Sequence, residues 1–294
     1  SSFVIFKDKA ASRIFNPKEY FDFKAIENKQ NSGLPIYDWY DLPVSFEYIS
    51  KVADFTDSLG YDLRWFNGVS VYCSEQAIIK IKNLSFVKSI YQWNQSTEIL
   101  AQENELNELL GDNFPVFSWQ LNTMGGRLFQ KRNLKGYNIR ISIIDVGFRD
   151  ANNNEQLKHA FSQKKIIDSW DFSKNKPLNY SIGSAHGTMV SSFIVGRLDT
   201  VQVGHAPESE ILFAKIKSIF NSNKSTEEAW LKAVEWSYQK GARLVNSSVG
   251  YVKGSHTHEM LTGDSCLMSL AGNLAARKGT VSYTHLTLPT TGSV

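Results

Sequence analysis

The stretch Ile139-Arg140-Ile141-Ser142-Ile143-Ile144-Asp145 decides the fold of this chain. Its six mostly apolar residues predict a strand buried on both faces, as in a parallel sheet, and the strand ends at an acid. Strands and helices alternate after it, which is typical of a parallel sheet covered by helices, and the predicted class is therefore α/β. The predicted elements are a helix over Gly187 to Gly196, a strand over Ile211 to Ala214, a helix from Ser225 to Gly241, a strand from Leu244 to Tyr251 and a helix from Ser265 to Lys278.

Length and composition exclude several classes of protein. The chain has 294 residues, which at roughly 100–200 residues per domain predicts two domains. Its 42% hydrophobic and 21% charged residues are typical of globular domains. The net charge of +3 is small and the basic residues are dispersed, which argues against a nucleic-acid binder. No apolar run reaches the roughly 18–20 residues of a membrane span, and two cysteines cannot make a disulfide-stapled scaffold.

Residues 1–93 follow another pattern, in which strands and helices come in the order β-α-β-β-α-β with a long insertion after the first strand. The strand Phe3 to Phe6 opens it, and a helix is predicted from Val44 to Leu59, where Gly60 stops it. Asn67-Gly68 is a strong hairpin signal between two further strands. This order predicts a small split βαβ sandwich of the α+β class. Residues 94–114 are rich in Gln, Asn and Glu and are interpreted as a linker with a short exposed helix.

Asp145 and His186 are the candidate catalytic residues. Asp145 stands at the carboxyl end of a predicted parallel strand, where sites in α/β sheets are found, although a turn-capping Asp is the alternative for it alone. His186 follows small residues and opens an apolar helix, which suits a general base, although a helix-cap histidine is equally compatible. The Asp precedes the His by 41 residues, and this order is that of the subtilisin-type triad.

Several segments carry a resemblance to subtilisin-like serine peptidases, the peptidase S8 family. They are Ile143 to Phe148, His186 to Val190, Gly204 to Glu208 with Ala214-Lys215, and Leu244 to Tyr251. The resemblance covers roughly residues 115–281 and implies a three-layer α/β catalytic domain with a parallel sheet. It also implies that Asp145 orients the imidazole, that His186 moves protons for a serine, and that Ser248, Val249 and Gly250 bind a peptide substrate as an added strand.

The amino-terminal part resembles the propeptide of secreted bacterial members of this family, through Asp41 to Ser45 and Arg64 to Val71. The resemblance implies a ferredoxin-like prodomain over residues 1–93, which assists folding and inhibits its own peptidase. It further implies that cleavage falls within residues 94–114 and that the protein is secreted. Nucleic acid and membrane are not expected partners. No cofactor is implied for the reaction, no metal site is assigned, and structural calcium is left open.

Two residues that the family needs have no counterpart in this sequence. No serine after Asn246 stands in a G-T-S-x-A-x-P setting, and Ala271-Gly272-Asn273, which resembles the oxyanion-hole motif, lies within a predicted helix. Residues 282–294 lack a core pattern and are interpreted as a non-native tail. We therefore expect a fragment of a peptidase precursor that hydrolyses no peptide by itself. The alternatives are a peptide-binding pseudoprotease and a prodomain that acts as a protease inhibitor.

Two further features are weaker candidates. His256-Thr257-His258-Glu259 could ligate a metal, but it lacks further ligands at a clear spacing, so a solvated loop is the preferred interpretation. Cys73 and Cys266 lie on opposite sides of the proposed cleavage, and no disulfide is expected between them.

Overall fold

The computed structural model describes residues 1–10, 15–93, 98–100, 121, 123–217, 226–248, 250–252 and 266–284. The chain divides into two compact units. Unit 1 consists of Ser1–Thr97, Phe220–Gly241 and Lys253–Thr280, and unit 2 consists of Glu98–Ile219, Ala242–Val252 and Val281–Val294.

The elements are numbered in chain order. The helices are α1 (Pro17–Tyr20), α2 (Phe23–Asn31), α3 (Phe46–Ala53), α4 (Glu75–Lys82), α5 (Gly126–Lys131), α6 (Lys158–Ser162), α7 (His186–Val195), α8 (Thr226–Gln239) and α9 (Leu267–Arg277). The strands are β1 (Ser2–Phe6), β2 (Ser58–Leu63), β3 (Gly68–Tyr72), β4 (Val87–Gln92), β5 (Glu98–Leu100), β6 (Arg140–Asp145), β7 (Ile166–Asp171), β8 (Lys176–Pro177), β9 (Arg197–Leu198), β10 (Val201–Gln202), β11 (Glu210–Lys215), β12 (Leu244–Ser247), β13 (Gly250–Val252) and β14 (Val281–Thr284). Short 3-10 helices cover Trp39–Asp41 and Ala151–Asn153.

Unit 1 contains a four-stranded antiparallel sheet of order β2-β3-β1-β4, which is the ferredoxin-like order expected for residues 1–93. Its core is a cluster of apolar side chains that includes Val4, Phe6, Val69 and Ile81. The sandwich predicted from the order of elements is therefore present in the fold.

The third helix of unit 1 differs from the prediction. It ends at Ala53 instead of Leu59, and β2 already begins at Ser58. Phe55 and Leu59 continue the helical spacing of apolar residues, but they pack against the same core from the connection and from the strand. The periodicity therefore extends past the end of the helix, because successive elements share one core.

Unit 2 contains a six-stranded sheet of order β14-β12-β6-β11-β7-β8, in which only β8 runs antiparallel to its neighbour. β6 is the stretch identified from the sequence, and all six of its residues are buried. Ile141, Ile143 and Phe213 contribute to a core cluster with Phe148 and Leu157. The α/β class predicted from the sequence is confirmed, and the carboxyl ends of β6 and β11 lie side by side.

Two strands contain residues that the sequence assigned to the tail and to the linker. Residues 282–284, assigned to the tail, continue β14, which pairs in parallel with β12 at the edge of the sheet. Edge pairing uses backbone groups, so it does not require a core pattern. Residues 98–100, assigned to the linker, form a strand that pairs with β13, whereas residues 101–114 and 285–294 lie outside the described part.

Other sequence expectations concern membranes and cysteines. Among the helices of the described ranges, none combines the length and apolar character of a bilayer span. Cys73 and Cys266 are both free thiols.

Candidate active site

Asp145 is the last residue of β6, and its side chain is completely buried. Its backbone carbonyl accepts the N–H of Ile216 at 3.0 Å, directly after β11, so the end of β6 is fixed to the neighbouring strand. The Oδ1 atom accepts the N–H of Val146 at 2.7 Å. The carboxylate is thus held in one orientation at the carboxyl edge of the parallel sheet.

His186 is the first residue of α7. Its backbone N–H donates to Oγ of Ser184 at 3.0 Å, and the carbonyl of Ser184 accepts the N–H of Arg149 at 2.9 Å. The Oγ1 atom of Thr188 donates to the carbonyl of Arg149 at 2.8 Å. These hydrogen bonds therefore connect the beginning of α7 to the loop after β6, the strand that ends at Asp145.

The two candidate side chains meet. Nδ1 of His186 lies 3.0 Å from Oδ1 and 2.9 Å from Oδ2 of Asp145. An ionised carboxylate only accepts hydrogen bonds, so Nδ1 carries the proton and Nε2 is the basic nitrogen of the neutral ring. Burial raises the pKa of Asp145, and the hydrogen bonds from His186, Val146 and Gly147 work against that rise. The histidine side chain is 19% exposed, which leaves part of the ring accessible.

Two glycines allow this close approach. A Cβ on Gly147 would lie 2.5 Å from the carbonyl oxygen of Ser184, and a Cβ on Gly187 would lie 2.6 Å from the carbonyl oxygen of Gly147. The N–H of Gly187 donates to that same carbonyl at 2.8 Å. Side chains at either position would push the beginning of α7 away from the end of β6. These glycines therefore set the distance between the acid and the histidine.

A buried ion pair that the sequence pattern did not reveal lies next to this loop. Nζ of Lys215, at the end of β11, is 3.0 Å from Oδ2 of Asp171, at the end of β7, and both side chains are buried. Oδ1 of Asp171 accepts hydrogen bonds from the backbone and the hydroxyl of Ser173. A Cβ on Gly183 would lie 3.7 Å from Nζ of Lys215. The pair thus supports the segment that leads into α7.

The expected substrate-binding segment is only partly described. The N–H of Ser248 donates to the carbonyl of Ile144 at 3.3 Å, and its Oγ accepts the side-chain amide of Asn246 at 2.8 Å. Val249 lies outside the described residues. Gly250 begins β13, which pairs antiparallel with β5, so that Gly250 is opposite Leu100. Of the three expected residues, the described pairing therefore involves Gly250, and its partner strand comes from residues 98–100 of the same chain.

The remaining candidates from the sequence do not join Asp145 and His186 in a described site. Ala271-Gly272-Asn273 lies within α9, as its pattern predicted. The segment from His256 to Glu259 falls outside the described residues. Within the described ranges, no group of three or more His, Cys, Asp or Glu side chains is arranged to hold a metal ion.

Within unit 1, α8 presents charged side chains to the edge strand β2, which sequence reasoning missed. Oε1 of Glu228 accepts the N–H of Tyr61 at 2.6 Å, and Oε2 accepts the hydroxyl of Tyr72 at 2.7 Å. Ser225, at which the helix is predicted to begin, lies outside the described residues. An edge strand leaves backbone donors unpaired, and these acceptors satisfy them.

Glu235, two turns further along α8, makes a second contact of this kind. Its two oxygens accept the backbone N–H groups of Trp65 at 2.9 Å and Arg64 at 3.2 Å. Lys232 lies between the two acids and donates to the carbonyl of Asp62 at 2.7 Å. Burial raises the pKa of Glu235 to about 7, against the opposing effect of Lys232. The spacing of Glu228, Lys232 and Glu235 places all three on one face of the helix.

Comparisons with known proteins agree with this architecture. Residues 1–108 match the model of the peptidase S8 propeptide domain of Bacteroidota, and residues 136–282 match that of the subtilase family. Subtilisin DY of Bacillus licheniformis is 27% identical over 126 residues, which are 43% of this chain and 42% of that protein. The minor extracellular protease Epr of Bacillus subtilis is 23% identical over 206 residues, 65% of this chain and 28% of that protein.

A solved structure shows the same fold. The epidermin leader peptide processing serine protease EpiP of Staphylococcus aureus superposes with a TM-score of 0.60 at 17% identity, covering 96% of this chain and 59% of that one. The chain spans less than half the length of the two curated relatives. Fold, family models and relatives together define the class: a subtilisin-like serine peptidase preceded by a propeptide. The chain belongs to the subtilase family.

Proposed function

We propose that this chain is part of the precursor of a serine endopeptidase in which Asp145 and His186 are two members of a catalytic triad. The observation that carries the proposal is the contact of Nδ1 of His186 with both oxygens of Asp145 at 2.9–3.0 Å, at the end of β6. This contact fixes the tautomer whose Nε2 can accept a proton. A buried acid, an oriented imidazole and a serine together form the machinery of acyl transfer.

The proposed reaction proceeds through an acyl-enzyme. Nε2 of His186 takes the proton of the serine hydroxyl while Oγ attacks the scissile carbonyl, and Asp145 stabilises the imidazolium. The imidazolium then gives that proton to the leaving amine as the peptide C–N bond breaks. Water then attacks the acyl-enzyme with the same help from His186, and the carboxylic acid product leaves as the serine regains its proton. The sequence of 294 residues holds no serine in a G-T-S-x-A-x-P setting, so we propose that this chain by itself hydrolyses no peptide.

We further propose that Ser248, Val249 and Gly250 bind the substrate backbone, and that the propeptide inhibits the peptidase of its own chain. The pairing of β13 with β5 supports both, since β5 belongs to the expected linker and lies antiparallel to Gly250 as an added strand. The proposal includes export from the cell. Relatives such as the minor extracellular protease Epr support this part.

Labelling with a fluorophosphonate, which reacts with activated serines, tests the proposal. A longer product whose sequence after Val281 contains a G-T-S-x-A-x-P stretch should be labelled at one serine, and the 294-residue chain should not. His186→Ala should abolish labelling of the longer product. His159→Ala is the matched control, because that half-buried histidine contacts the carbonyl of Pro207 and should leave labelling intact.

Two outcomes would count against the proposal. Labelling of the 294-residue chain at an active-site serine would show that it contains its own nucleophile. A longer product that binds peptides but is never labelled would favour the second candidate, a pseudoprotease that holds peptides along β13.

A further inference from the structure

The propeptide contains a segment that its six-element fold does not require. β1 ends at Phe6 and α3 begins at Phe46, although connections of roughly 2–6 residues are usual in compact domains. Residues 15–43, called the arm from here on, form α1, α2 and the 3-10 helix Trp39–Asp41. The contacts of the arm with α8 and α9, all within unit 1, indicate what this insertion does.

The arm first covers the carboxyl end of α8. The N–H of Asp22 donates to the carbonyl of Gln239 at 3.0 Å, and the side-chain amide of Asn28 donates to the carbonyl of Gly241 at 2.9 Å. Such carbonyls have no partner within the helix itself. Gly241 has φ +79°, and a Cβ there would lie 2.6 Å from the backbone nitrogen of Ala25. The beginning of α2 therefore packs directly against the end of α8.

The arm also completes a buried cluster of charged and polar groups. Nζ of Lys278, just after α9, lies 2.7 Å from Oδ2 of Asp38 and 3.0 Å from Oδ2 of Asp41. The hydroxyl of Tyr238 on α8 donates to Oδ2 of Asp41 at 3.3 Å and accepts from Nζ of Lys29 at 2.5 Å. Both acids and Lys29 belong to the arm, whereas Tyr238 and Lys278 follow the expected cleavage segment. Burial lowers the pKa of Lys29 to about 8.

A buried ion pair of this kind discriminates between partners. Asp41 is fully buried, and its Oδ1 accepts no hydrogen bond from the described residues, so its charge depends on the groups around Oδ2. Removing one member of a buried pair leaves the other charge without compensation, which is much less favourable than a matched pair. A catalytic segment with an apolar residue in place of Lys278 would therefore be rejected by the arm.

We propose that the arm is a second recognition element of the propeptide, which keeps the cleaved propeptide bound to its own catalytic segment through the pairing of Asp41 with Lys278. The first element is β2 with the two residues after it, whose backbone N–H groups donate to Glu228 and Glu235. The partner that fits the arm is a subtilase catalytic segment. It must carry a hydroxyl at the position of Tyr238 and a buried ammonium group at the position of Lys278. The inference rests on the proposed function, in which the propeptide inhibits its own peptidase, and on the expected cleavage within residues 94–114.

A cut that does not depend on the chain's own activity tests the inference. In the full 294-residue chain, a recognition sequence for a site-specific protease replaces residues 104–110, and the chain is held on a surface by a carboxyl-terminal tag. After the cut, loss of the propeptide is followed by surface plasmon resonance. The unaltered sequence should retain its propeptide, and Asp41→Asn should speed its release roughly 100-fold.

Three further variants make the result decisive. Glu47→Gln, which alters a half-exposed acid paired with Lys51, is the matched control and should change the rate less than about twofold. Adding Lys278→Met to Asp41→Asn should recover about tenfold, because the buried ammonium group and the fully buried carboxylate are then both gone and only the part-exposed Asp38 keeps its charge. Asn28→Ala removes one hydrogen bond to the end of α8 and should accelerate release about fivefold even if Asp41→Asn does not fold.

Certain outcomes would overturn the inference. Release from the unaltered cut chain within minutes would show that the two elements do not retain the propeptide. Rates for Asn28→Ala and Asp41→Asn equal to that of Glu47→Gln would show that the arm does not contribute. Neither result bears on catalysis, since the cut is made by an added protease and the triad is tested by serine labelling.

Discussion

Asp145 in unit 2 and Asp41 in unit 1 are both fully buried carboxylates, but their partners differ in kind. Asp145 contacts a histidine that is 19% exposed, whereas Asp41 contacts the ammonium group of Lys278, which is 5% exposed. Histidine gains and loses a proton near neutral pH, and lysine ordinarily remains charged there. A buried carboxylate can therefore assist proton transfer when its partner is a histidine, and hold two segments together when its partner is a lysine.

The two carboxylates also differ in how their oxygens are used. Both oxygens of Asp145 contact the same imidazole nitrogen, so the ring is oriented by one group. Oδ2 of Asp41 accepts from Lys278, Tyr238 and the N–H of Asp38, so this oxygen joins three separate segments. The first arrangement fixes the direction of one side chain, and the second holds elements together.

Loss of Lys278 should produce the largest effect if Asp41 has this holding role. Lys278→Met leaves two arm carboxylates beside an apolar side chain, and we expect the free energy of unfolding to fall by about 3–5 kcal/mol. Urea unfolding followed by tryptophan fluorescence measures it. Lys51→Met, at a half-exposed pair, should change the value by less than about 1 kcal/mol. Equal effects of the two variants would remove the distinction between buried and exposed pairs.

Glu235 offers a third buried carboxylate, which accepts backbone N–H groups. Its pKa is raised by burial to about 7 from a usual value of 4.5, so the folded state keeps a proton that the unfolded state has lost between these pH values. The stabilisation is complete below about pH 4.5 and is lost as the pH rises through about 7, by at most about 3 kcal/mol.

The comparison of Glu235→Gln with the unaltered chain isolates this effect from other titrating groups. The variant cannot ionise, so its urea midpoint should fall less between pH 5 and pH 8 than that of the unaltered chain. Parallel pH curves for the two proteins would show that Glu235 ionises as it does when unfolded. Hydrogen exchange at the amides of Arg64 and Trp65 gives a local check, since both donate to Glu235.

The sequence predicted the parallel sheet from local rules, and it predicted the pairing of Asp145 with His186 through the resemblance of their motifs to those of the subtilase family. An apolar run of strand length places Asp145 at the carboxyl edge of the sheet, and small residues before an apolar helix place His186 at the beginning of that helix. The contacts of Asp41 with Lys278 and of Glu235 with Trp65 join residues 237 and 170 positions apart. Acids on a helix ordinarily face solvent, so no local pattern distinguishes these buried acids from exposed ones.

A substitution at Gly187 tests how closely the end of β6 and the beginning of α7 approach each other. Gly187→Ala places a Cβ about 2.6 Å from the carbonyl oxygen of Gly147 and 2.7 Å from the ring of Phe148, so one element must move. We expect a loss of about 1–3 kcal/mol in unfolding free energy. Gly272→Ala in α9 is the matched control, because its Cβ would meet nothing within 4 Å, and it should stabilise by about 0.5–1 kcal/mol. Two variants of equal stability would contradict the close approach.

Asp145→Asn addresses the pair itself and should have the smallest effect on stability, because the amide keeps the shape of the carboxylate. Removing the negative charge 2.9 Å from Nδ1 makes the imidazolium less favourable, so the pKa of His186 should fall by at least about one unit relative to the unaltered chain. NMR titration of its Cε1–H resonance measures this, with assignment from His186→Gln. Asp150→Asn, an exposed acid on the loop after β6, should shift that pKa by less than about 0.3 units. If Asp145→Asn left the pKa of His186 unchanged, Asp145 would not stabilise the charged ring. Asp145 and Asp41 would then differ only in how they pack.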